Sequence, residues 1–472
     1  MEHEASDIWE LRRTNMELLR GVIEKKVITR TKRELNAFRQ MFPFNTHVSK
    51  LKADETFKEN WTNEFASFAR LISGYKADYS VDDQVVDFEP LLNEMSIETE
   101  DEDEFVALLN ELLVTGETKQ QLQHPSMLLH LESAEIKNRV FKISDYLYDL
   151  CKENTLLQDL FKANKQNNVL QNIFSELKPE LEPIDKKPSS FDHKLPWIGD
   201  LFADDLLFLR KHPDFFVKYA DLVAYYYTFF LLSQNVVKLS LLEHADYKQN
   251  TVEPLYFTLD WESTVSSRRD AVRKGFKYLD EMSTKLFSTQ LTLAQLSCNT
   301  ENSELEKMMD FPTLKSIFDQ LSSQEQEKWI QEVDTQAESI IETSKLQHKI
   351  TQSSTFLDSV KQLIYVMEVT SPESAQKRYG SGITEIAKVR LVKQRGRNGN
   401  VLSLNQEVLT MFLIVIVRSS KMRLQDVYVE LEKRGIFLDR YSRVEFENTL
   451  ERMSLLIKMS DSGEAQYVKS IL

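Results

Sequence analysis

Glycine is the scarcest structural resource of this chain: it occupies 11 of 472 positions, where an average protein uses about 7%. That shortage removes whole fold classes. Rossmann, P-loop and barrel enzymes rely on glycine for phosphate loops and tight turns, and an all-β chain needs it in its turns. Proline is equally scarce, at 11, while Leu, Glu, Lys and Gln abound, and these favour helix. The expected fold class is therefore mostly α, a multi-domain helical protein. Its length suits two to four domains and is ample for buried cores.

Two cysteines, Cys151 and Cys298, cannot build a disulfide framework in a chain of this size, so a reducing cytoplasm is the expected location. The first residues, MEHEASDIWELRRTNMELL, contain no apolar h-region of a signal peptide. The most apolar windows, Leu222 to Leu232 and Leu409 to Val417, fall well short of the ~20 residues of a membrane span. No membrane partner is expected, and both windows read as buried core helices.

Charge is distributed unevenly. The formal net charge is −15, yet residues 377–397 carry seven basic groups (Lys377, Arg378, Lys388, Arg390, Lys393, Arg395 and Arg397) against the single acid Glu385. Residues 398–472 are neutral, with ten groups of each sign, which leaves −21 on the first 376 residues. A second basic stretch, residues 11–39, holds nine Lys/Arg against three Glu. Six acids fall within Glu98 to Glu104, a segment expected to be exposed.

Apolar spacing predicts one or two amphipathic helices over residues 7–41 and a helix over 56–72, with Phe57, Trp61, Phe65, Phe68 and Leu71 on a core-facing stripe. Pro179, Pro183, Pro188 and Pro196 disfavour regular helix and mark the best boundary in the chain. A hydrophobic, aromatic segment runs from Phe215 to Leu242, and Val252 to Trp261 alternates like a strand or extended connector. Residues 322–368 read as a long amphipathic helix or helix pair, with Trp329, Ile330, Val333, Ala337, Ile340 and Ile341 on one face. The expected divisions are an N-terminal helical domain (1–178), a proline-rich linker (179–196) and a middle helical domain (197–375). A basic β-hairpin or linker (376–404) and a winged-helix-like C-terminal domain (405–472) follow.

After Pro372 the pattern changes, because six of the eleven glycines lie in the last 93 residues. ITEIAKVRLVKQRGRNGNVLSLN reads as a β-hairpin in which Ile386, Val389, Leu391, Val401 and Leu402 flank a turn at Asn398-Gly399. Its tip would gather Arg390, Lys393, Arg395 and Arg397, with Lys388 alongside. Three helices follow: Gln406 to about Val417, Leu424 to Lys433 closed by Arg434-Gly435, and roughly Arg443 to Leu455. Two short strands, Leu456 to Met459 and Ala465 to Ile471, are joined by Ser460-Asp461-Ser462-Gly463. That order is the layout of a winged helix. The last helix offers Arg440 and Arg443, with Asn448 and Arg452, but also Glu445, Glu447 and Glu451. Three acids are unfavourable on a helix that faces phosphates, so the module alone suits a protein partner as well as DNA.

No P-loop, HExxH or GxSxG motif occurs. His124 and His130 flank PSMLL with no carboxylate cluster nearby, and no catalytic residue, metal or cofactor is expected. The strongest enzymatic echo is Pro213-Asp214 followed by Asp246-Tyr247-Lys248, which mimics the two carboxylates and lysine of a Mg²⁺-dependent nuclease. That echo, and a dimeric winged-helix regulator, are the competing readings.

The end of the chain carries a resemblance. RLQDVYVELEKRGIFLDRYSR, closing on KMSDSGEAQYVKSIL, resembles the DptG family, the G subunit of bacterial DNA phosphorothioation-dependent restriction systems. Arg434-Gly435-Ile436, Asp439, Lys458, Ser460-Asp461-Ser462-Gly463, Ala465-Gln466-Tyr467-Val468 and Leu472 carry it, about 15% of the chain, and Glu464 departs from the expected aspartate. The resemblance implies a non-catalytic component of an assembly that damages unmodified DNA. Its partners would be an F subunit, a helicase-type H subunit and double-stranded DNA. Lys388, Arg390, Lys393, Arg395, Arg397, Arg440 and Arg443 are the expected DNA-contacting residues, a choice made from charge.

Overall fold

The fold comes from a computed structural model that describes residues 39–44, 53–79, 102–110, 125–131, 133, 142–161, 181–185, 190–262, 269–297, 307–344, 347, 349–458 and 466–472. The expected helices over 7–38, His124, Cys298 and the Ser460-Asp461-Ser462-Gly463 turn lie outside the described residues. The architecture is mostly α, as the glycine shortage predicts. The helices are α1 (Ala53–Ile72), α2 (Glu102–Asn110), α3 (Ile143–Cys151), α4 (Thr155–Gln158), α5 (Trp197–Arg210), α6 (Pro213–Leu241), α7 (Arg269–Arg273), α8 (Phe276–Ser297), α9 (Phe311–Phe318), α10 (Ser323–Thr343), α11 (Phe356–Thr370), α12 (Glu373–Arg390), α13 (Gln406–Val417), α14 (Leu424–Lys433) and α15 (Arg440–Arg452).

Helix α6 is the axis of the molecule. Pro213 opens it at the first turn, where its missing N–H is harmless, and every residue from Tyr219 to Leu239 is buried. A helix apolar around its whole circumference must be enclosed by others, and α1, α5, α8 and α12 pack around it. The expected aromatic stripe lies on α1, with Trp61, Phe65, Phe68 and Leu71 buried. The 322–368 segment is a pair, α10 and α11, each started by a side-chain cap: Ser322 with Glu325 in a capping box, and Thr355. Buried residues from every expected division, from Phe42 and Tyr146 through Phe230 and Trp329 to Phe412 and Val468, join one contiguous core. Among the described residues no helix is long and apolar enough to cross a membrane.

Among the described residues there are seven short strands: β1 (Tyr256–Leu259), β2 (Val392–Gln394), β3 (Asn400–Leu404), β4 (Met422–Arg423), β5 (Phe437–Leu438), β6 (Leu456–Lys458) and β7 (Gln466–Val468). The first sheet has the order β2-β3-β1-β5, with β1 parallel to both β3 and β5. The second, antiparallel, has the order β4-β7-β6. The Val252 to Trp261 segment is thus a strand, and it joins the basic hairpin to the C-terminal segment.

The hairpin exists but is shorter than its sequence suggests. Antiparallel pairing runs only from Val392↔Leu402 to Gln394↔Asn400, and Ile386 to Arg390 form the last turns of α12. Alternating apolar residues there are equally compatible with a helix that buries Ile386 and Val389. Gly380 and Gly382 serve neither turn nor cap. They sit inside α12, where a Cβ on Gly380 would lie 2.3 Å from the Ser283 carbonyl oxygen of α8 and one on Gly382 would lie 2.9 Å from the Phe44 ring. Glycine here permits two helices to approach closely.

The end of the proline-rich stretch carries a half-buried histidine. His193 packs against Tyr146 with ring centroids 4.6 Å apart and the rings tilted by 59°, and its Nε2 lies 3.0 Å from the Tyr146 carbonyl oxygen. Burial pushes its pKa down from 6.5 to about 4. The unfolded chain therefore binds more protons between those values, so the stabilisation present above pH 6.5 is lost as pH falls towards 4, by about 3 kcal/mol. Urea unfolding of His193→Gln at pH 7 and pH 4.5 should yield a pH-dependence smaller than the wild type's by that order.

Candidate nucleic-acid interface

The base of the hairpin is set by a run of three tyrosines on α6. Consecutive helical residues point about 100° apart, so Tyr225, Tyr226 and Tyr227 reach different neighbours. The Tyr225 hydroxyl donates to the Ile386 carbonyl at 2.6 Å and accepts from the Arg390 N–H at 3.1 Å, closing the end of α12. Tyr226 donates to the Arg434 carbonyl at 2.6 Å. Tyr227 donates to Asp205 on α5, also at 2.6 Å.

The basic residues expected at the hairpin tip do not gather there. Lys388 pairs with Glu385 at 2.6 Å on α12. Arg390 ends that helix and pairs with Glu407 of α13 at 3.0 Å. Lys393 donates to the Asp260 carbonyl at 2.6 Å and pairs with the Asp260 carboxylate at 2.8 Å. Arg395 donates to the carbonyls of Leu259 and Asp260 at 2.8 and 2.9 Å. Lys393 and Arg395 thus clamp the hairpin onto the end of β1. Arg397 alone of the five is exposed with no ion pair among the described residues, between Gly396 and Gly399, whose φ values are +52° and +69°.

On the C-terminal helices, Arg443 pairs with Glu432 at 2.7 Å and lies over the Tyr428 ring at 4.6 Å. Arg440 is exposed and has no ion pair among the described residues. The three acids that seemed unfavourable on α15 are each engaged. Glu445 pairs with Arg452 at 2.8 Å, Glu447 accepts from the Tyr428 hydroxyl at 3.2 Å, and Glu451 pairs with Lys458. The exposed ridge of α15 is Arg440, Tyr441, Val444 and Asn448.

Beneath this surface lies a polar lock that sequence inspection misses. Arg434, just past α14, forms a bidentate pair with Asp205 at 2.9 and 2.7 Å, with relative side-chain exposures of 3% and 0%. Its third nitrogen pairs with Glu430 at 2.7 Å. Residues 229 positions apart are thereby locked together, and no local pattern signals the partner. Lys238, fully buried on α6, donates to the Asp246 carbonyl at 2.7 Å and to Thr251 at 3.1 Å.

These contacts correct the nuclease echo. Asp246 builds a turn, its carboxylate accepting from the backbone N–H groups of Lys248 and Gln249 at 2.9 and 3.1 Å. Asp214 lies in the first turn of α6 and Asp246 beyond its last. At 1.5 Å per residue that separates them by about 40 Å, so they cannot share a metal ion. Among the described residues no group of three or more His, Cys, Asp or Glu could hold a metal ion. His130 instead packs edge-on against Tyr79. Compared with known protein-family models and with curated proteins, the chain matches none.

Proposed function

We propose that this chain is a non-catalytic scaffold subunit of a phosphorothioation-dependent restriction complex, of the DptG kind, which bridges an F subunit and a helicase-type H subunit and contacts double-stranded DNA. The sequence resemblance over residues 423–472 motivates the reading. The observation that carries it furthest is the order α13-β4-α14-β5-α15-β6-β7 with β4-β7-β6 paired as one antiparallel sheet, the arrangement expected of a winged helix. The acidic remainder of the chain then docks partner subunits, and the complex damages DNA that lacks the sulfur modification.

Co-expression with an F subunit and a helicase-type H subunit of such a system provides the test. The tagged chain should retain an ATPase-type partner through a salt wash, and purification of the chain alone under the same conditions would overturn the proposal. A winged-helix regulator is the second reading, favoured by the matched acids on α15. It requires a dimer that selects one sequence from random duplexes.

A further inference from the structure

Of the seven cations expected to meet DNA, Lys388, Arg390, Lys393 and Arg443 form ion pairs and Arg395 bonds two carbonyls, which leaves Arg397 on the hairpin and Arg440 on α15 exposed without an ion pair among the described residues. A denser set lies on the outer face of the β4-β7-β6 sheet. Strand alternation sends Met422, Val468 and Leu456 inward, Val468 being fully buried, and therefore Arg423, Tyr467 and Ile457 outward in one cross-strand row. Lys421 precedes β4 and holds its ammonium 5.2 Å from the Tyr467 ring centroid. Lys469, two positions after Tyr467 and just past β7, is exposed and donates to the Ser454 carbonyl at 3.2 Å. Lys421, Arg423 and Lys469 are all exposed, and none forms an ion pair among the described residues. Arg423 hydrogen-bonds the Tyr467 hydroxyl, and among the described residues the acids nearby include Asp426, which acts on Arg423 through space, and Glu451, which is taken up by Lys458.

We infer that this sheet face binds the phosphate backbone of duplex DNA through Lys421, Arg423 and Lys469, with the Tyr467 hydroxyl as a neutral donor. The inference rests on the proposed DNA-contacting role and assigns it a surface. Phosphate contacts need cations and hydroxyls and no apolar anchor, and this face supplies three cations and one hydroxyl, with Ile457 half-buried beside them. A protein partner requires buried aromatic or aliphatic anchors. Of the exposed large apolar residues of this module, Val429, Tyr441 and Val444 lie on α14 and α15, and Leu472 follows β7. The contact is sequence-independent, since no base-reading group is part of it.

Three phosphate contacts give a slope of about −2.7 in log affinity against log salt, or about a 40-fold weakening between 50 and 200 mM salt. Fluorescence anisotropy of a 20-base-pair duplex with the full-length chain reads this directly. The Lys421→Glu, Arg423→Glu, Lys469→Glu triple variant should lose that slope and bind at least tenfold more weakly at 50 mM salt. Its thermal midpoint should match the wild type's, as all three side chains are exposed. A control with the same change in net charge, Lys274→Glu, Lys277→Glu, Lys315→Glu, should bind as the wild type does. Equal loss in both triples would reduce the effect to net charge and overturn the assignment. Wild-type affinity in the sheet triple, or polyglutamate binding in place of duplex binding, would overturn it as well. Retention of partner subunits is measured separately. Its failure would sink the scaffold reading and leave the anisotropy result to decide the sheet face.

Discussion

Replacing Asp205 with alanine is expected to destabilise the protein by about 3 kcal/mol, because one member of a buried ion pair is removed and the guanidinium keeps only Glu430, at its third nitrogen, as a counter-charge. Arg434 makes both of its bidentate bonds to this carboxylate, and Tyr227 donates to it as well. The loss therefore deprives a buried guanidinium and a buried hydroxyl of this partner together. Guanidinium chloride unfolding should record it as a lower midpoint. Arg434→Ala should behave alike, since it orphans Asp205 in turn. The Asp205→Leu, Arg434→Met double variant should recover much of the loss, because a buried pair replaced by apolar residues of similar volume is often neutral or stabilising. An Asp205→Ala protein within 1 kcal/mol of wild type would refute the lock.

Gly435→Ala should be nearly as damaging. The residue sits at φ +81°, a conformation that disfavours any side chain by about 1–2 kcal/mol, and its added Cβ would lie 2.4 Å from a ring carbon of Phe230. Phe230 is buried on α6 among Trp197, Tyr226 and Tyr227, so it cannot swing away. Overpacking of this kind adds about 1–3 kcal/mol. A Phe230→Ala, Gly435→Ala protein separates the two contributions. Relief of the clash should leave the conformational part, so the second substitution should cost about 1–2 kcal/mol in the Phe230→Ala background. A second substitution as damaging there as in the wild type would disprove the steric account.

Asp205 and Gly435 act on the same joint. Arg434 and Gly435 close α14 and at the same point fasten the C-terminal segment to α5 and α6. The β5 strand that follows pairs with β1, and Ser442 at the start of α15 bonds the Phe257 carbonyl and Glu262 at 3.2 Å each. The candidate DNA surface is therefore carried on a rigidly seated module. Its position relative to the acidic body is a property of the fold.

Where local rules suffice, the sequence was readable. The first two C-terminal helices begin and end where expected, at Gln406–Val417 and Leu424–Lys433, because Gly435 supplies the left-handed stop that the chain requires. The third begins three residues earlier than expected, at Arg440, since the Asp439 side chain accepts from the Ser442 N–H and caps it. The strands β4 and β5 went unforeseen. Each has two residues and is defined only by its partner in the ladder, which no window of sequence contains.

The charge map divides along the same line. Sequence alone determined that the chain is helical, that its acidity lies in the first 376 residues and that the basic residues concentrate late, because composition and periodicity are local properties. Only the tertiary structure decided which cations remain available. Lys393 and Arg395 meet Asp260 and its neighbouring carbonyl, Arg390 meets Glu407 and Arg443 meets Glu432, while Lys421, Arg423 and Lys469 are exposed at the second sheet with no ion pair among the described residues. An ion pair depends on distances of a few ångströms, between residues 133 positions apart for Lys393 and Asp260. Folding, and not the order of residues, brings those charges together.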